Sequence, residues 1–374
     1  MKLLVFASTP PPVHGQSVMV RTLVEGLAAA APDIAVFPVN PRLSRDSADI
    51  GRWRIGKLPA LLVACARALA TRARVGPMVF YYVPAPGKRA ALYRDWLVLL
   101  FCRPFFRHLV LHWHAVGLGA WLATHATPPE RWLTRRVLGR ASLGIVLAPE
   151  LLADAETFSP LRTAVVANGI SAPAGDRPRR RPDPESDPSS QPPTEVLFLG
   201  LGSREKGLFD TLAAVALVNQ REPGRCRLTV AGAFASTADA AAFAAQAAAL
   251  GPATVRHVGF ADDVQKSALF FSSDILCFPT TYRHEGQPLT LLEALAHDLP
   301  IITTRWRAIP GLLPTGSPFI QFVEPGRPDQ IATAVRALRA TPPPPGALRT
   351  YFLSRFTTEQ HLAALAAALR SLGP

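Results

Sequence analysis

Cysteine is scarce in this chain of 374 residues: Cys65, Cys102, Cys226 and Cys277 are widely spaced and each lies in an apolar run. Spacing of that kind builds neither a disulfide framework nor a paired metal-ligand motif, so buried, reduced thiols are expected. A long hydrophobic run is also missing. The best stretch, LVLLFCRPFFRHLVL, is interrupted by Arg103 and Arg107 and falls short of the ~18 apolar residues of a spanning helix. The start, MKLLVFASTPPPV, has the Lys2 and apolar run of a secretory leader. That run lasts only about five residues before Ser-Thr-Pro-Pro-Pro, too short for a leader's apolar region, and it reads better as a first strand. Together these shortages predict a cytoplasmic protein, soluble or peripheral on the inner face of the membrane.

Acidic residues are short in one half only. Met1 through Pro178 holds 21 Lys and Arg against 10 Asp and Glu, while the remainder holds 19 against 17. Nearly all of the net charge of +13 therefore sits in the first half. An acidic partner there is one explanation, whether anionic lipid, a phosphorylated acceptor or nucleic acid. An Arg- and Ala-rich composition reflecting GC-biased codons is the other.

Apolar residues are plentiful, at 49% with a mean hydropathy of +0.18, and they come in strand and helix lengths. The length suits two domains. KLLVFAS, the loop TPPPVHGQS and VMVRTLVEGLAAAA make a strand, loop and helix, the opening of a doubly wound α/β domain. IAVFPVN, MVFYYVP and HLVLHWHAVG continue as strands. The basic stretches Trp53 to Arg74 and Lys88 to Phe106 read as helices between them. A segment dense in Pro, Ser and charge, SAPAGDRPRRRPDPESDPSSQPPTE, reads as an exposed linker. The alternation then restarts with EVLFLGLG, CRLTVAGAF, TVRHVGF, DILCFPT and PIITT as strands. The expected organisation is α/β, with one Rossmann-like domain over residues 1–170, a linker over 171–194 and a second domain over 195–350. A C-terminal helix over 351–374 is expected to cross back to the first domain.

The stretch HEGQPLTLLEALAHDLPIITT, His284 to Thr304, carries Glu285 and Glu293 eight positions apart. A loop after the strand DILCFPT leads into a helix expected to open at Pro288, whose missing N–H costs nothing in a first turn. Glu285 then sits in the loop and Glu293 about one turn into the helix. Gly286 allows close backbone approach, and the helix N-terminus offers unpaired N–H groups and a positive dipole end to a phosphate. Two surface acids at a helix start would be the simpler reading of an isolated pair. The surrounding LTLLEALA sets Glu293 in a buried run, where an unpaired carboxylate is costly. Acids for hydroxyls beside amides for phosphate point to a sugar nucleotide.

Lys206 in GSREKGLFDTL follows a Gly-bearing loop ahead of a helix, a position suited to a cation for a diphosphate, although a lone Lys is usually solvated. Gly15 in PPPVHGQS offers another close backbone approach. His108, His112 and His114 alternate along one strand and share a face; they spread too far apart to converge on one metal ion. VANGIS, with Asn168 and Gly169, is a turn signal.

On these residues the chain resembles glycosyltransferase family 4, whose members carry an EG-x-P-L…EA…G-x-P-V pattern. HEGQPLTLLEALAHDLPII is similar to it, with Asp298 where Gly is usual. The resemblance implies a GT-B fold, two Rossmann-like doubly wound domains facing across a cleft, the first taking the acceptor and the second the nucleotide sugar. It implies a retaining, metal-independent hexosyltransferase that needs no cofactor and uses a UDP- or GDP-sugar as co-substrate. In that reading Glu285 and His114 contact the donor sugar and Glu293 the ribose. Gly286, Gln287, Pro288 and Leu289 lie along sugar and phosphate, Gly15 approaches the phosphate, and Lys206 binds the diphosphate. The family's Arg position holds Leu201, with Arg204 as the substitute. The acceptor expected is a glycan or lipid-linked glycan of bacterial cell-surface polysaccharide assembly. The two basic helices are expected to face an anionic membrane, or else merely to pack on the sheet with Arg stems outward. Other readings are a GT-B enzyme of another reaction, such as a sugar-nucleotide epimerase or phosphorylase, and a catalytically silent scaffold. A nucleic-acid-binding protein would explain the charge but leaves the Glu pair and Lys206-Gly207 without a purpose, so no nucleic-acid partner is expected.

Overall fold

The computed structural model describes residues 1–41, 57–173 and 192–373. Most of the expected linker, and Trp53 to Gly56 at the start of the first basic helix, lie outside the described residues. The chain divides into two compact units. The first combines Met1–Gly169, Arg283–Gln287 and Phe356–Pro374; the second combines Ile170–Tyr282 and Pro288–Arg355.

Six parallel strands form the sheet of the first unit: β1 (Lys2–Phe6), β2 (Ala35–Val39), β3 (Val79–Tyr82), β4 (His108–Trp113), β5 (Leu143–Val146) and β6 (Thr163–Val165). Their spatial order is β2-β1-β3-β4-β5-β6. β3 and β5 are buried throughout, as apolar runs in a parallel sheet covered on both faces must be. The helices are α1 (Gly15–Ala30), α2 (Lys57–Val75), α3 (Arg89–Cys102), α4 (Leu118–His125), α5 (Pro128–Leu138) and α6 (Leu152–Glu156). The expected helix over Lys88 to Phe106 stops early. α3 ends at Cys102 and a single 3₁₀ turn, Arg103–Phe105, follows, because Pro104 has no N–H to continue the ladder.

The second unit has β7 (Thr194–Leu199), β8 (Cys226–Ala231), β9 (Val255–His257), β10 (Ile275–Phe278), β11 (Ile301–Thr304) and β12 (Ile320–Val323). All pair in parallel in the order β12-β11-β10-β7-β8-β9. This is the order of dinucleotide-binding sheets, and its winding reverses between β7 and β10. Its helices are α7 (Leu208–Arg221), α8 (Thr237–Leu250), α9 (Asp263–Ser272), α10 (Leu289–Ala296), α11 (Ile309–Leu312), α12 (Pro328–Ala340) and α13 (Arg349–Arg355).

The last helix, α14 (Thr358–Arg370), belongs to the first unit. Its Leu362, Leu365 and Leu369 join the core formed by Leu3, Leu23, Leu27 and Ile34. Gly26 makes room for it, since a Cβ there would stand 2.7 Å from Leu362 Cδ1. None of the described helices is long and apolar enough to cross a membrane. All four cysteines are buried free thiols.

Candidate active site

Open α/β sheets bind ligands beyond the carboxyl ends of the strands where the winding reverses, which in the second unit lies between β7 and β10. The loop after β7 carries Arg204, Lys206 and Gly207; the loop after β10 runs to α10. The Thr281 N–H donates to the Glu205 carbonyl at 2.7 Å, and the Thr280 hydroxyl reaches the same oxygen at 3.4 Å, so the two loops are joined. Gly207 is required where they meet. Its φ is +81°, and a Cβ on it would lie 2.5 Å from the carbonyl oxygen of Pro279. The Lys206 ammonium is consequently held over two rings, 4.6 Å from the centroid of Tyr282 and 5.2 Å from that of Phe278. Arg204 is exposed and lies over Phe209, 4.7 Å from its centroid.

Leu289, rather than Pro288, is the first residue of α10. Pro288 caps the helix with ψ 119°, an extended conformation, and makes no side-chain capping hydrogen bond. The Thr290 hydroxyl donates to the Leu199 carbonyl at 3.4 Å, which holds this helix start at the end of β7. Glu293 lies one turn in, and its Oε1 receives the Lys266 ammonium of α9 at 2.7 Å. Burial opposes the Lys266 charge, but attraction to Glu293 and Asp263 outweighs it and holds the lysine above its ordinary pKa. Sequence reasoning missed Lys266. The rule that a carboxylate in an apolar helix needs a partner called for such a cation without saying which one.

The other expected site residues fall in the first unit: His114, Glu285, Gly286 and Gln287, with Gly15 at the exposed start of α1. His114 follows the end of β4. Its carbonyl oxygen lies 2.5 Å from where a Cβ on Gly286 would stand. On either side of that contact, Val116 and His284 exchange hydrogen bonds: the Val116 N–H donates to His284 O at 3.5 Å, and His284 Nδ1 donates to Val116 O at 3.0 Å. Asn168, just beyond β6, holds Gln287. Its N–H donates to Gln287 Oε1 at 2.5 Å and its Nδ2 to Gln287 O at 3.2 Å. Residues 284–287 are thus fastened at both ends, with Glu285 buried between them.

Imidazoles gather at this edge of the sheet. Burial pushes His114 down to about 3, and repulsion from His361 and His14 adds to it. His112 is 1% exposed, bonded through Nδ1 to the Tyr81 hydroxyl, and held well below its usual pKa by burial. Burial also lowers His14 and His361; a hydrogen bond from His361 Nδ1 to Ala167 O, at 2.7 Å, works the other way. These imidazoles are therefore held toward their neutral forms at pH 7, polar without adding cationic charge. Asp95 and Glu130, the remaining buried acids among the described residues of this unit, have structural partners. Asp95 accepts from the Tyr82 hydroxyl, the Ala85 N–H and Arg94, while Glu130 caps α5 and takes Tyr93 and Arg89. Among the described residues no group of three His, Cys, Asp or Glu is placed to hold a metal ion.

Residues 193–340 match the family model described as glycosyl transferases group 1. Over 193 residues the chain is 28% identical to glycogen synthase of Mycobacterium tuberculosis, in a match that covers 51% of this chain and 43% of that protein. The chain thus spans less than half the length of the curated relative it matches. Along its whole length it resembles HepE of Anabaena, solved in complex with UDP, with a TM-score of 0.67, 16% identity and coverage of 99% and 100% of the two chains. Sucrose-phosphate synthase of Thermosynechococcus elongatus gives 0.70, 18%, 100% and 99%. The fold is accordingly GT-B, two Rossmann-like units in one chain. The stretch that matches the glycosyl transferases group 1 model falls in the second unit, apart from Arg283–Gln287.

Proposed function

We propose that the protein is a retaining glycosyltransferase that moves a sugar from a nucleotide-diphosphate sugar to a glycan or lipid-linked acceptor in the assembly of a bacterial cell-surface polysaccharide. The observation that carries this reading is the winding reversal between β7 and β10, where the Lys206 loop meets the uncapped start of α10. Charge builds on the diphosphate as the glycosidic bond breaks. The Lys206 ammonium and the α10 amides are the groups suited to stabilise it, with Arg204 on the same loop as Lys206. Glu293 has one carboxylate oxygen on Lys266, and the other is the acceptor for a ribose hydroxyl. Glu285 and the start of α10 are consecutive in the chain, which supports assigning the groups for sugar hydroxyls and those for phosphate to a single donor. Glu285 and the neutral His114 grip the sugar. The acceptor oxygen bonds to the anomeric carbon on the face from which the diphosphate departs, and the departing phosphate takes the acceptor's proton, so no enzyme carboxylate acts as nucleophile.

HepE was solved with UDP-glucose as well as UDP, which favours a uridine donor here. The four buried free thiols fit a reducing, cytoplasmic setting. A thermal-shift series with UDP, GDP, ADP and their sugars tests the donor site. One nucleotide is expected to stabilise the protein, by about 2.7 kcal/mol at 100 times its dissociation constant. A flat response to all of them, with no sugar released from any donor, overturns the reading.

A further inference from the structure

In a parallel sheet with right-handed crossovers the helices run back against the strands. The ends of α2, α3 and α5 therefore share one edge of the first sheet with the starts of β3, β4 and β5. Hydrogen bonds weld the three helix ends into one surface. Arg72 Nε donates to the Phe105 carbonyl at 3.2 Å, and Arg103 donates to the carbonyls of Val137 at 2.5 Å and Gly139 at 2.7 Å. Exposed on this surface are Arg74, Arg107, Arg136 and Arg140, and residues 72–78, 103–108 and 135–142 contain no acid. Beside them three large apolar side chains at the end of α3 and its turn face solvent: Leu100 at 52%, Phe101 at 51% and Phe105 at 58%.

Cations at helix ends alone would be what the dipole favours. The dipole gives no reason to expose two phenylalanines and a leucine among them. Leu100 can enter hydrocarbon but has no aromatic face to stack on a base, which favours lipid over nucleic acid as the partner. We propose that this edge docks on an anionic lipid bilayer, with the arginines on the headgroups and Leu100, Phe101 and Phe105 inserted at the boundary with the acyl chains. His114 and Asn168 follow the opposite ends of their strands, so the first unit's candidate site residues stand off the bilayer by about the length of β4, roughly 20 Å for six residues. An acceptor anchored in the same bilayer then has to present its growing end at that height, which a lipid carrying several sugars does and a lipid carrying one does not. That last consequence rests on the proposed transfer; the docking does not.

The experiment is flotation of the full chain with vesicles of phosphatidylcholine containing one third phosphatidylglycerol, at low salt. Phosphatidylcholine vesicles and a duplex-DNA gel shift run in parallel. Wild type is expected to float with the anionic vesicles only and to be released by salt. Arg74→Gln, Arg107→Gln and Arg136→Gln are each expected to lower the partition about fivefold, and the triple variant about a hundredfold. Phe101→Ser with Phe105→Ser should weaken it at unchanged charge. A wild type that stays in solution, that floats equally with neutral vesicles, or that binds duplex but not lipid overturns the proposal, as does a triple variant that floats like wild type. Donor turnover in solution is measured on the same samples. Lost flotation with a wild type that still turns over refutes the docking alone, and flotation without turnover refutes only the transfer.

Discussion

The carbonyl oxygen of His114 occupies the space into which any side chain on Gly286 would grow, leaving 2.5 Å to a Cβ. Two residues far apart in the chain thereby define one loop position, and Glu285 is placed by a neighbour that has to be glycine. Gly286→Ala therefore forces either the 284–287 loop or the end of β4 to shift. Such overpacking costs about 1–3 kcal/mol. A displacement of about 1 Å at a reacting centre costs about a hundredfold in rate. Donor turnover of Gly286→Ala is expected to fall by that order while far-UV circular dichroism stays unchanged.

Glu285→Ala and Lys206→Ala separate the two chemistries. In the proposed transfer Lys206 stabilises charge that builds on the diphosphate as the bond breaks, so its loss should lower turnover about 10²–10³-fold. In the proposed transfer Glu285 grips the sugar throughout, so its loss should abolish transfer while nucleotide still raises the melting temperature. Single-turnover kinetics beside the thermal shift resolve the two; turnover near wild type in either variant refutes the assignment.

Asp298, which stands where glycine is usual in the resembled family, has φ +58°. A left-handed conformation costs an L residue roughly 1–2 kcal/mol, less for Asp. Against that, its carboxylate accepts the N–H groups of Gly346, Leu348 and Arg349 at 2.8, 2.7 and 3.1 Å, gathering the start of α13. Bonds to a charged group contribute about 1.5–3 kcal/mol each. The bonds win, so Asp298→Gly should lower the melting temperature despite relieving the backbone, and calorimetry gives the sign.

His114 and its neighbours set an acid limit. Each has a folded pKa below its unfolded value, so between about pH 7 and pH 3 the unfolded chain binds more protons than the folded one. Stability is complete above pH 7 and lost as the pH falls below 6.5. For a histidine whose folded value lies near 3, the loss at pH 5 is about 2 kcal/mol. Urea unfolding at pH 7.5, 6 and 5 should show a falling midpoint, and His112→Phe with His114→Gln should flatten the trend.

Both Rossmann-like units were legible because a buried parallel strand writes itself as an apolar run, as in VFYY and ILCF. β12 went unnoticed: IQFV at the rim of the sheet is only partly buried, so its sequence carries weaker constraint. The Lys206-Gly207 signal was readable, although its cause, the approach of Pro279, depends on a loop seventy residues away. Lys266 could not be read at all, since α9 shows no mark of what its side chain will meet. The closeness of His114 to Gly286 was equally hidden, because nothing local in either segment names the other.

The placement of α14 makes the order of synthesis matter. Phe356, where the last segment of the first unit begins, follows Gly169 by 187 positions. At about 5–20 residues per second, a nascent first sheet waits roughly 10–40 s for the helix that covers Leu23 and Leu27. Throughout that interval an apolar groove stands open, and an mRNA truncated anywhere in the second unit yields a product that cannot close it. Helix α14 thereby acts as a check on the sheet it covers, and a chain that stops before Thr358 leaves that apolar face exposed to chaperones and proteases.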